Sequence, residues 1–269
     1  MNATSVGALL LCRAGPSAVR RPAHLLREEV LLVPAGREWS ALVPEGRPWR
    51  DGGEHVDAVV GGWAAALAVG SSRPVLALWW DGDRAGFTLA VGFRRPVGYI
   101  WLADGTPVGE DEAMRTFAAR LGLDPVLDLQ DLEPLTTPDP DSDARARLIG
   151  LTAVLSRTGL ELPAGLGPGD PADRLRSTAR QADAEAVKST GPPAQAATEQ
   201  AAALAEGPPR RPWPYGPGAR RAGAVQLGVG LPLVAWGARR RSAGWAVAGV
   251  VLVAHGALAL TCGTPRPGA

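Results

Sequence analysis

The chain has 269 residues, a net charge of +1 and 46% hydrophobic residues. This charge argues against a nucleic-acid partner. The two cysteines, Cys12 and Cys262, stand far apart and form no CxxC or Cys/His cluster, so we expect no disulfide, no metal and no cofactor. Lys188 is the only lysine, and this composition, rich in arginine, alanine and proline, is typical of a bacterium with a GC-rich genome.

Residues 1–135 are predicted to form a soluble α+β domain, in which helices pack on one antiparallel sheet of about six strands in two meanders. Residues 55–69 carry apolar residues at spacings of three and four, which predicts a helix, and residues 110–121 do the same. The connections between the strand segments are short, which favours antiparallel pairing. The predicted strands are residues 6–12, 30–33, 39–43, 75–80, 87–93 and 97–102.

Residues 136–188 are predicted to be a helical extension. Residues 125–140 are acidic and contain prolines, which indicates an irregular crossover, and a helix is expected at 143–159. Asp170-Pro171 predicts the start of a further helix, because Asp caps free N–H groups and Pro suits the first helical position. That helix, running to about Val187, has few apolar residues and is expected to stand apart from the core. Residues 189–219 are predicted to be a disordered linker rich in Pro and Ala.

Residues 220–263 are predicted to form a transmembrane helical hairpin, followed by a short tail at 264–269. The apolar segments 222–238 and 243–262 contain 17 and 20 residues. A helix of this greater length spans about 30 Å, the thickness of the hydrocarbon core of a bilayer. The alternative is a buried hairpin of a soluble helical domain. The predicted interfacial anchors are Arg220, Arg221, Trp236, Arg239, Arg240, Arg241 and Trp245.

Two polar residues inside these segments are predicted to face each other. Gln226 lies 13 positions before Arg239, and His255 lies 13 positions after Ser242. An antiparallel hairpin therefore places the two side chains at the same depth, and we expect a hydrogen bond between them that fixes the register. The functional alternative is a proton-relay or ligand site, because ionisable groups inside membranes are often functional.

The sequence predicts a protein of the cell membrane with two spans and a cytoplasmic N-terminal domain. The start of the chain lacks the positively charged region of an export signal. Five arginines flank the hairpin on the side of its termini and three lie in its turn, which favours termini in the cytosol by the positive-inside rule.

The best candidate for a catalytic or metal site in the predicted domain of residues 1–135 is the turn that contains Asp81, Asp83 and Arg84. Paired carboxylates can bind a metal or act as acid and base, and His55 is a further candidate. The favoured interpretation is that Asp-Gly-Asp is ordinary turn chemistry. The sequence contains no nucleophile elbow and no phosphate loop, so no catalytic residue is assigned.

Trp79 and Trp80 are consecutive on a predicted strand and therefore face opposite sides of the sheet. At least one ring must be covered by a helix, a partner or the membrane surface. A sheet covered on both faces and a protein partner bound near Trp79 or Trp80 are equally compatible with the sequence.

These features predict a tethered interaction or regulatory module at the inner face of the cytoplasmic membrane, with the lipid bilayer as a partner. This is a non-enzymatic function. One alternative is a membrane-tethered enzyme with its site in the N-terminal domain. A second alternative is a pathway for small solutes or protons formed by oligomerised hairpins.

Overall fold

The structure is a computed structural model that describes residues 6–51, 53–125 and 127–188, together with residues 228, 230–232, 234–236, 249 and 253. The chain divides into two compact units, Met1–Ser189 and Thr190–Ala269. In the described part of the chain, no helix is both long enough and apolar enough to cross a membrane.

One antiparallel sheet organises the first unit. Its strands are β1 (Gly7–Cys12), β2 (Val30–Pro34), β3 (Ser40–Pro44), β4 (Val75–Trp80), β5 (Arg84–Ala90), β6 (Val97–Leu102) and β7 (Glu185–Val187). From edge to edge they follow the order β6-β5-β4-β1-β3-β2-β7. The helices are α1 (Pro16–Ala23), α2 (Pro48–Asp51), α3 (Val56–Ser71), α4 (Asp111–Leu121), α5 (Leu127–Thr136), α6 (Ala144–Ser156) and α7 (Ala172–Gln181), with a short 3₁₀ turn, His24–Leu26, after α1.

The central strand is β1, which pairs on both sides and has side chains in two separate cores. Leu10 lies opposite Leu42 of β3 and Ala77 of β4. On one face of the sheet, Leu9 belongs to the core that is covered by α4 to α7. On the other face, Leu10 belongs to the core covered by α1 and α3, because successive residues of a strand point to opposite sides. The first unit is therefore a sheet between two helical layers.

The predicted α+β class with an antiparallel sheet is confirmed, but the sheet has seven strands where about six were expected. The sequence does not reveal β7, because three residues, Glu-Ala-Val, carry no pattern of their own. This segment becomes a strand by pairing with the otherwise open edge of β2, where Leu31 lies opposite Ala186. Of the two predicted meanders, β4, β5 and β6 form one, but β1, β2 and β3 do not, because β1 pairs with β3 rather than with β2.

Two predictions about the following helices were wrong. The segment 125–140 was expected to be irregular, but it contains α5, whose Leu132 and Leu135 are buried in the core. The helix after Asp170-Pro171 ends at Gln181 rather than near Val187. It also does not stand apart, because Leu175 and Ala179 are fully buried. In both places burial of a few apolar side chains outweighs a sequence pattern that looks polar.

The described chain enters and leaves the sheet at the same end. Gly7, the first residue of β1, lies opposite Trp80, and Val187, the last residue of β7, lies opposite Val30. The β4–β5 turn and the start of α3 lie at this end too, since Arg84 of β5 contacts Asp57 of α3. We call it the acidic end, after its carboxylates Asp57, Asp81, Asp83 and Asp104.

Candidate functional site

The β4–β5 turn is held by the side chain of Asp81. Its Oδ1 accepts the backbone N–H groups of Asp83, at 2.9 Å, and Arg84, at 2.8 Å. The backbone N–H of Asp81 in turn donates to the carbonyl of Arg84. An aspartate that bonds the backbone two and three residues later is a common turn device. One oxygen of Asp81 is therefore occupied by the turn itself.

Arg84 lies between two carboxylates and above an aromatic ring. Its Nε is 3.5 Å from Asp81 Oδ2, and its Nη2 is 3.7 Å from Asp57 Oδ1. The guanidinium carbon is 5.4 Å from the centre of the Trp79 ring, which is a cation–π distance. The side chains of Arg84 and Asp57 are each only 30% exposed. One cation thus compensates two carboxylates in a partly buried position.

Of the four residues singled out in this region, the structure brings Asp81 and Arg84 together. Asp83 is exposed, and its contacts here are made by its backbone: its N–H donates to Asp81 Oδ1, and its carbonyl accepts the N–H of Ala103. His55 is exposed too, at the N-cap of α3, where its backbone carbonyl accepts N–H groups and its side chain makes no capping bond. Among the described residues no contact joins His55 with Asp81 or Asp83, and the second carboxylate that approaches Asp81 is Asp57, with Arg84 between them.

Sequence reasoning does not identify Asp57 as a member of this cluster. In the sequence it is one more acidic residue in the first turn of a helix. No spacing rule connects it with Asp81, which is on a different element. The contact arises because α3 lies across β4 and β5.

Several buried polar atoms near this end have no hydrogen-bond partner among the described residues. They are the indole N–H groups of Trp49, Trp79 and Trp80 and the Oδ1 of Asp57. Trp49, Trp79 and Asp57 belong to elements on the α3 face of the sheet. A buried donor or acceptor without a partner costs about 1–3 kcal/mol. Water is the simplest molecule that both donates and accepts, and it fits this mixed set.

Trp79 and Trp80 are both buried, on opposite faces of the sheet, with exposures of 1% and 2%. Each ring lies against a glycine. A Cβ atom on Gly86 would be 2.6 Å from Trp79 Cζ2, and one on Gly7 would be 2.6 Å from Trp80 Cζ2. These glycines leave room for the two indoles. The protein partner predicted near Trp79 or Trp80 stays a prediction.

Other ionic groups connect the helices of the opposite layer. Arg157 pairs with Asp128 at 2.9 Å and with Asp131. Its hydrogen bond to Asp128 is the main reason that the pKa of this carboxyl lies below its ordinary value. Arg147 is 2% exposed and donates to the carbonyls of Pro134 and Thr137, so it fastens the end of α5 to α6. These contacts are structural.

Neither a nucleophile nor a metal centre is evident in the described ranges. Burial raises the pKa of the Cys12 thiol to about 11, while a hydrogen bond with Ser71 and the charge of Arg73 act in the opposite direction. At neutral pH the thiol is protonated and unreactive. The described residues contain no group of three or more His, Cys, Asp and Glu side chains that could hold a metal ion.

The described residues of the second unit show two helical segments in close contact. Residues 228, 230–232 and 234–236 are helical, as are 249 and 253. A Cβ atom on Gly230 would lie 2.8 Å from Val253 Cγ2 and 2.9 Å from the carbonyl oxygen of Gly249. Leu231 and Trp236 are exposed. Outside the described residues lie the predicted pair Gln226 and His255 and the predicted anchors Arg220, Arg221, Arg239, Arg240, Arg241 and Trp245.

Comparison with protein-family models, with curated proteins and with solved structures gave no match.

Proposed function

We propose that this protein is a non-enzymatic interaction or regulatory module that a C-terminal helical hairpin tethers to the cytoplasmic membrane, with the first unit on the cytoplasmic side. The proposal combines the two long apolar segments 222–238 and 243–262 with the packing between them. A hairpin of this length is able to cross the hydrocarbon core of a bilayer.

The observation that carries the proposal is the contact around Gly230 and Gly249. A Cβ atom on Gly249 would be 2.5 Å from the backbone nitrogen of Val234, so a larger residue at either glycine would separate the segments. Small residues that let two helices approach closely are typical of helix pairs in membranes, where association depends on packing and on polar contacts.

The same contacts support the proposed pairing of Gln226 with His255. Gly230 lies against residues 249 and 253, and Val234 lies against Gly249. In an antiparallel pair of helices, one turn earlier in the first segment corresponds to one turn later in the second. Residue 226 would then be level with the region between residues 253 and 257, where a hydrogen bond with His255 would fix the register.

The acidic end supports a non-enzymatic function over a tethered enzyme. Asp81 is used by the turn and by Arg84, and Asp57 shares the same cation. A general base needs a carboxylate or imidazole that is free to accept a proton from a substrate. The carboxylates of Asp57 and Asp81 are paired with Arg84, whereas the exposed side chains of Asp83 and His55 form no ion pair between described residues.

Membrane fractionation of the full-length chain tests the tether. We expect the chain to stay in the membrane pellet after alkaline carbonate extraction. Recovery in the supernatant would reject the tether. The orientation is tested separately by labelling Cys262 from outside intact cells, and efficient labelling would reject the proposed topology.

A matched pair of glycine substitutions tests the packing. Gly230→Leu should abolish disulfide crosslinking between Gln226→Cys and His255→Cys in a Cys262→Ser background, because the larger side chain forces the segments apart. Gly228→Leu is the control, since no atom of a described residue packs within 4 Å of the position of its Cβ. Equal crosslinking in the two variants would contradict the proposed hairpin contact.

A further inference from the structure

The end of the sheet opposite the acidic end carries an exposed aromatic ring on the tip of a hairpin. β5 and β6 are joined by a tight turn in which the N–H of Arg94 donates to the carbonyl of Val91. Gly92 has a φ of +53°, a backbone conformation that glycine adopts without steric cost. The following residue, Phe93, is 65% exposed. A phenylalanine this exposed on a protruding turn contributes little to the core of the domain.

Five arginines lie at this end of the sheet, two of them in the turn itself, and we call this region the basic end. Arg94 and Arg95 follow Phe93 in the turn, and Arg120 of α4 donates to the carbonyl of Arg95 at 2.6 Å. Arg13, directly after β1, donates through Nη1 to the carbonyl of Leu121 at 2.6 Å. The backbone N–H of Arg13 donates to the carbonyl of Pro74, which places Arg73 beside it. Arg73, Arg94 and Arg95 are exposed, and Arg13 and Arg120 are half-buried.

These five arginines take part in none of the ion pairs between described residues. The acidic side chains nearest along the chain have other partners. Asp124 accepts the N–H of Leu127, and Asp128 accepts the N–H of Asp124 and pairs with Arg157. Glu38, in the β2–β3 turn, is about 14 Å from β5 across three strand spacings but only one spacing from β1, which Arg13 follows. The positive charge of Arg94 and Arg95 is therefore not compensated by an ion pair between described residues.

Helix dipoles explain only part of this arrangement. α3 and α4 both end here, and a positive charge near a helix C-terminus is favourable. That accounts for Arg73 and Arg120. It does not account for Arg94 and Arg95, which belong to a hairpin turn, or for an exposed phenylalanine beside them.

We infer that the basic end is a docking site for an anionic phospholipid surface, with Phe93 entering the interface and the arginines binding headgroup phosphates. Each arginine near such a surface strengthens association about fivefold. An apolar ring on a convex tip suits a soft interface, in which one end of the side chain is apolar and its surroundings are charged. Single-stranded nucleic acids are less suitable, because their non-specific binding uses several exposed rings for stacking, whereas Phe87, Tyr99 and Phe117 are buried.

This inference rests on the first unit and does not depend on the hairpin. The full-length chain is used, with Cys262→Ser and Phe93→Cys, and the new cysteine is labelled with nitrobenzoxadiazole, whose emission shifts to the blue in an apolar environment. Cys12 is buried and stays unlabelled. The protein is reconstituted with vesicles of phosphatidylcholine alone or of phosphatidylcholine and phosphatidylglycerol in equal amounts.

We expect a blue shift only with the vesicles that contain phosphatidylglycerol. Raising the salt from about 0.1 M to about 1 M should remove it, because the Debye length falls from about 10 Å to about 3 Å. Arg94→Glu with Arg95→Glu should weaken the contact at least about 25-fold. Arg21→Glu with Arg50→Glu is the matched control, since both arginines are exposed, lie outside the basic end, and are absent from the ion pairs between described residues.

A label at Asp83→Cys, at the acidic end of the same sheet, should show no shift. An equal shift there, an equal shift with phosphatidylcholine alone, or no shift at position 93 would each overturn the inference. So would a larger shift with a duplex oligonucleotide in place of vesicles, which would assign the basic end to nucleic acid. Flotation with phosphatidylcholine vesicles reports on the hairpin alone, so its failure is distinguished from failure of the basic end. The comparison of lipids and salts uses no charge variant and stays decisive if a variant does not fold.

Discussion

The acidic end and the basic end are opposite ends of the same sheet, and they differ in how their charged side chains are paired. At the acidic end, Arg84 is shared by Asp57 and Asp81, and its guanidinium lies over Trp79. At the basic end, five arginines have no ion pair with a described residue, and the ring of Phe93 beside two of them is exposed. At the acidic end the arginine and the indole ring contact each other in a partly buried position, whereas at the basic end the arginines of the turn and the phenylalanine are exposed to solvent.

The comparison shows that the spacing of charged residues in the sequence does not reveal which of them are paired in the fold. The acidic end holds the carboxylates and the histidine that were weak candidates for an enzyme site, although the sequence favoured turn chemistry there. In the structure Asp57 and Asp81 share Arg84, while Asp83 and His55 are exposed and take no part in that pairing. The basic end has no motif, yet its charges remain uncompensated, and uncompensated charge is what a partner can bind.

The largest difference in stability is expected between substitutions of the buried Trp79 at the acidic end and of the exposed Phe93 at the basic end. Trp79→Ala should lower the free energy of unfolding by about 3–5 kcal/mol, because it empties a large core position and removes the ring beneath Arg84. Phe93→Ala should change it by less than about 0.5 kcal/mol. Denaturant unfolding followed by near-ultraviolet circular dichroism measures both. Similar losses in the two variants would place Phe93 in the core and break the comparison.

The next effect in size is the pH dependence of stability that is caused by Cys12, the last residue of β1 before Arg13 of the basic end. Burial raises the pKa of Cys12 from 9.0 to about 11. Between these values the unfolded thiol loses its proton and the folded one keeps it, so stability is fully present below pH 9 and falls as the pH rises to about 11, by about 2–3 kcal/mol. Cys12→Ala should lack this part of the decline. Parallel pH profiles for the two proteins would contradict the raised pKa.

At the acidic end, the cluster of Arg84, Asp57 and Asp81 should contribute about 1 kcal/mol to the free energy of unfolding. Arg84→Met keeps an apolar stem over Trp79 but leaves Asp57 and Asp81 without their cation, so we expect a loss of that size. Adding Asp57→Asn should recover part of it, because one uncompensated carboxylate disappears. The double-mutant cycle is measured by denaturant unfolding. Strict additivity would show that Arg84 and Asp57 do not interact.

The smallest effect is expected for a single arginine of the basic end. Arg94→Ser should change the free energy of unfolding by less than about 0.5 kcal/mol, in the stabilising direction, because it removes one of several like charges. Added salt should therefore stabilise the original protein slightly more than the variant. A clear loss of stability in low salt would mean that Arg94 has a structural partner and is not available for lipid.

Local sequence patterns were sufficient for much of the first unit. The helix at residues 55–69 is visible from its apolar spacing, and the β2–β3 hairpin is visible from Pro34-Ala35-Gly36. Asp81 could be assigned to a turn because its role is decided by the next three residues. In each case the physical cause lies within a few positions of the chain.

Contacts between distant elements could not be anticipated in this way. Asp57 joins Arg84 only because a helix crosses two strands, and β7 forms only because β2 offers an open edge. The basic end is likewise assembled from residues 13, 73, 94, 95 and 120, which no spacing connects. Gly7 and Gly86 carried a usable signal, since a glycine inside a strand often marks the close approach of another group.

Because the chain enters β1 and leaves β7 at the acidic end, the domain is suitable for circular permutation. β1 and β7 are separated by two strands, or about 14 Å between their ends. A short glycine-rich connection can bridge that gap. New termini opened at the β5–β6 turn would suspend the same folded domain from its other end. Comparing such a permutant with the original order would separate what the domain binds from the direction in which it is held.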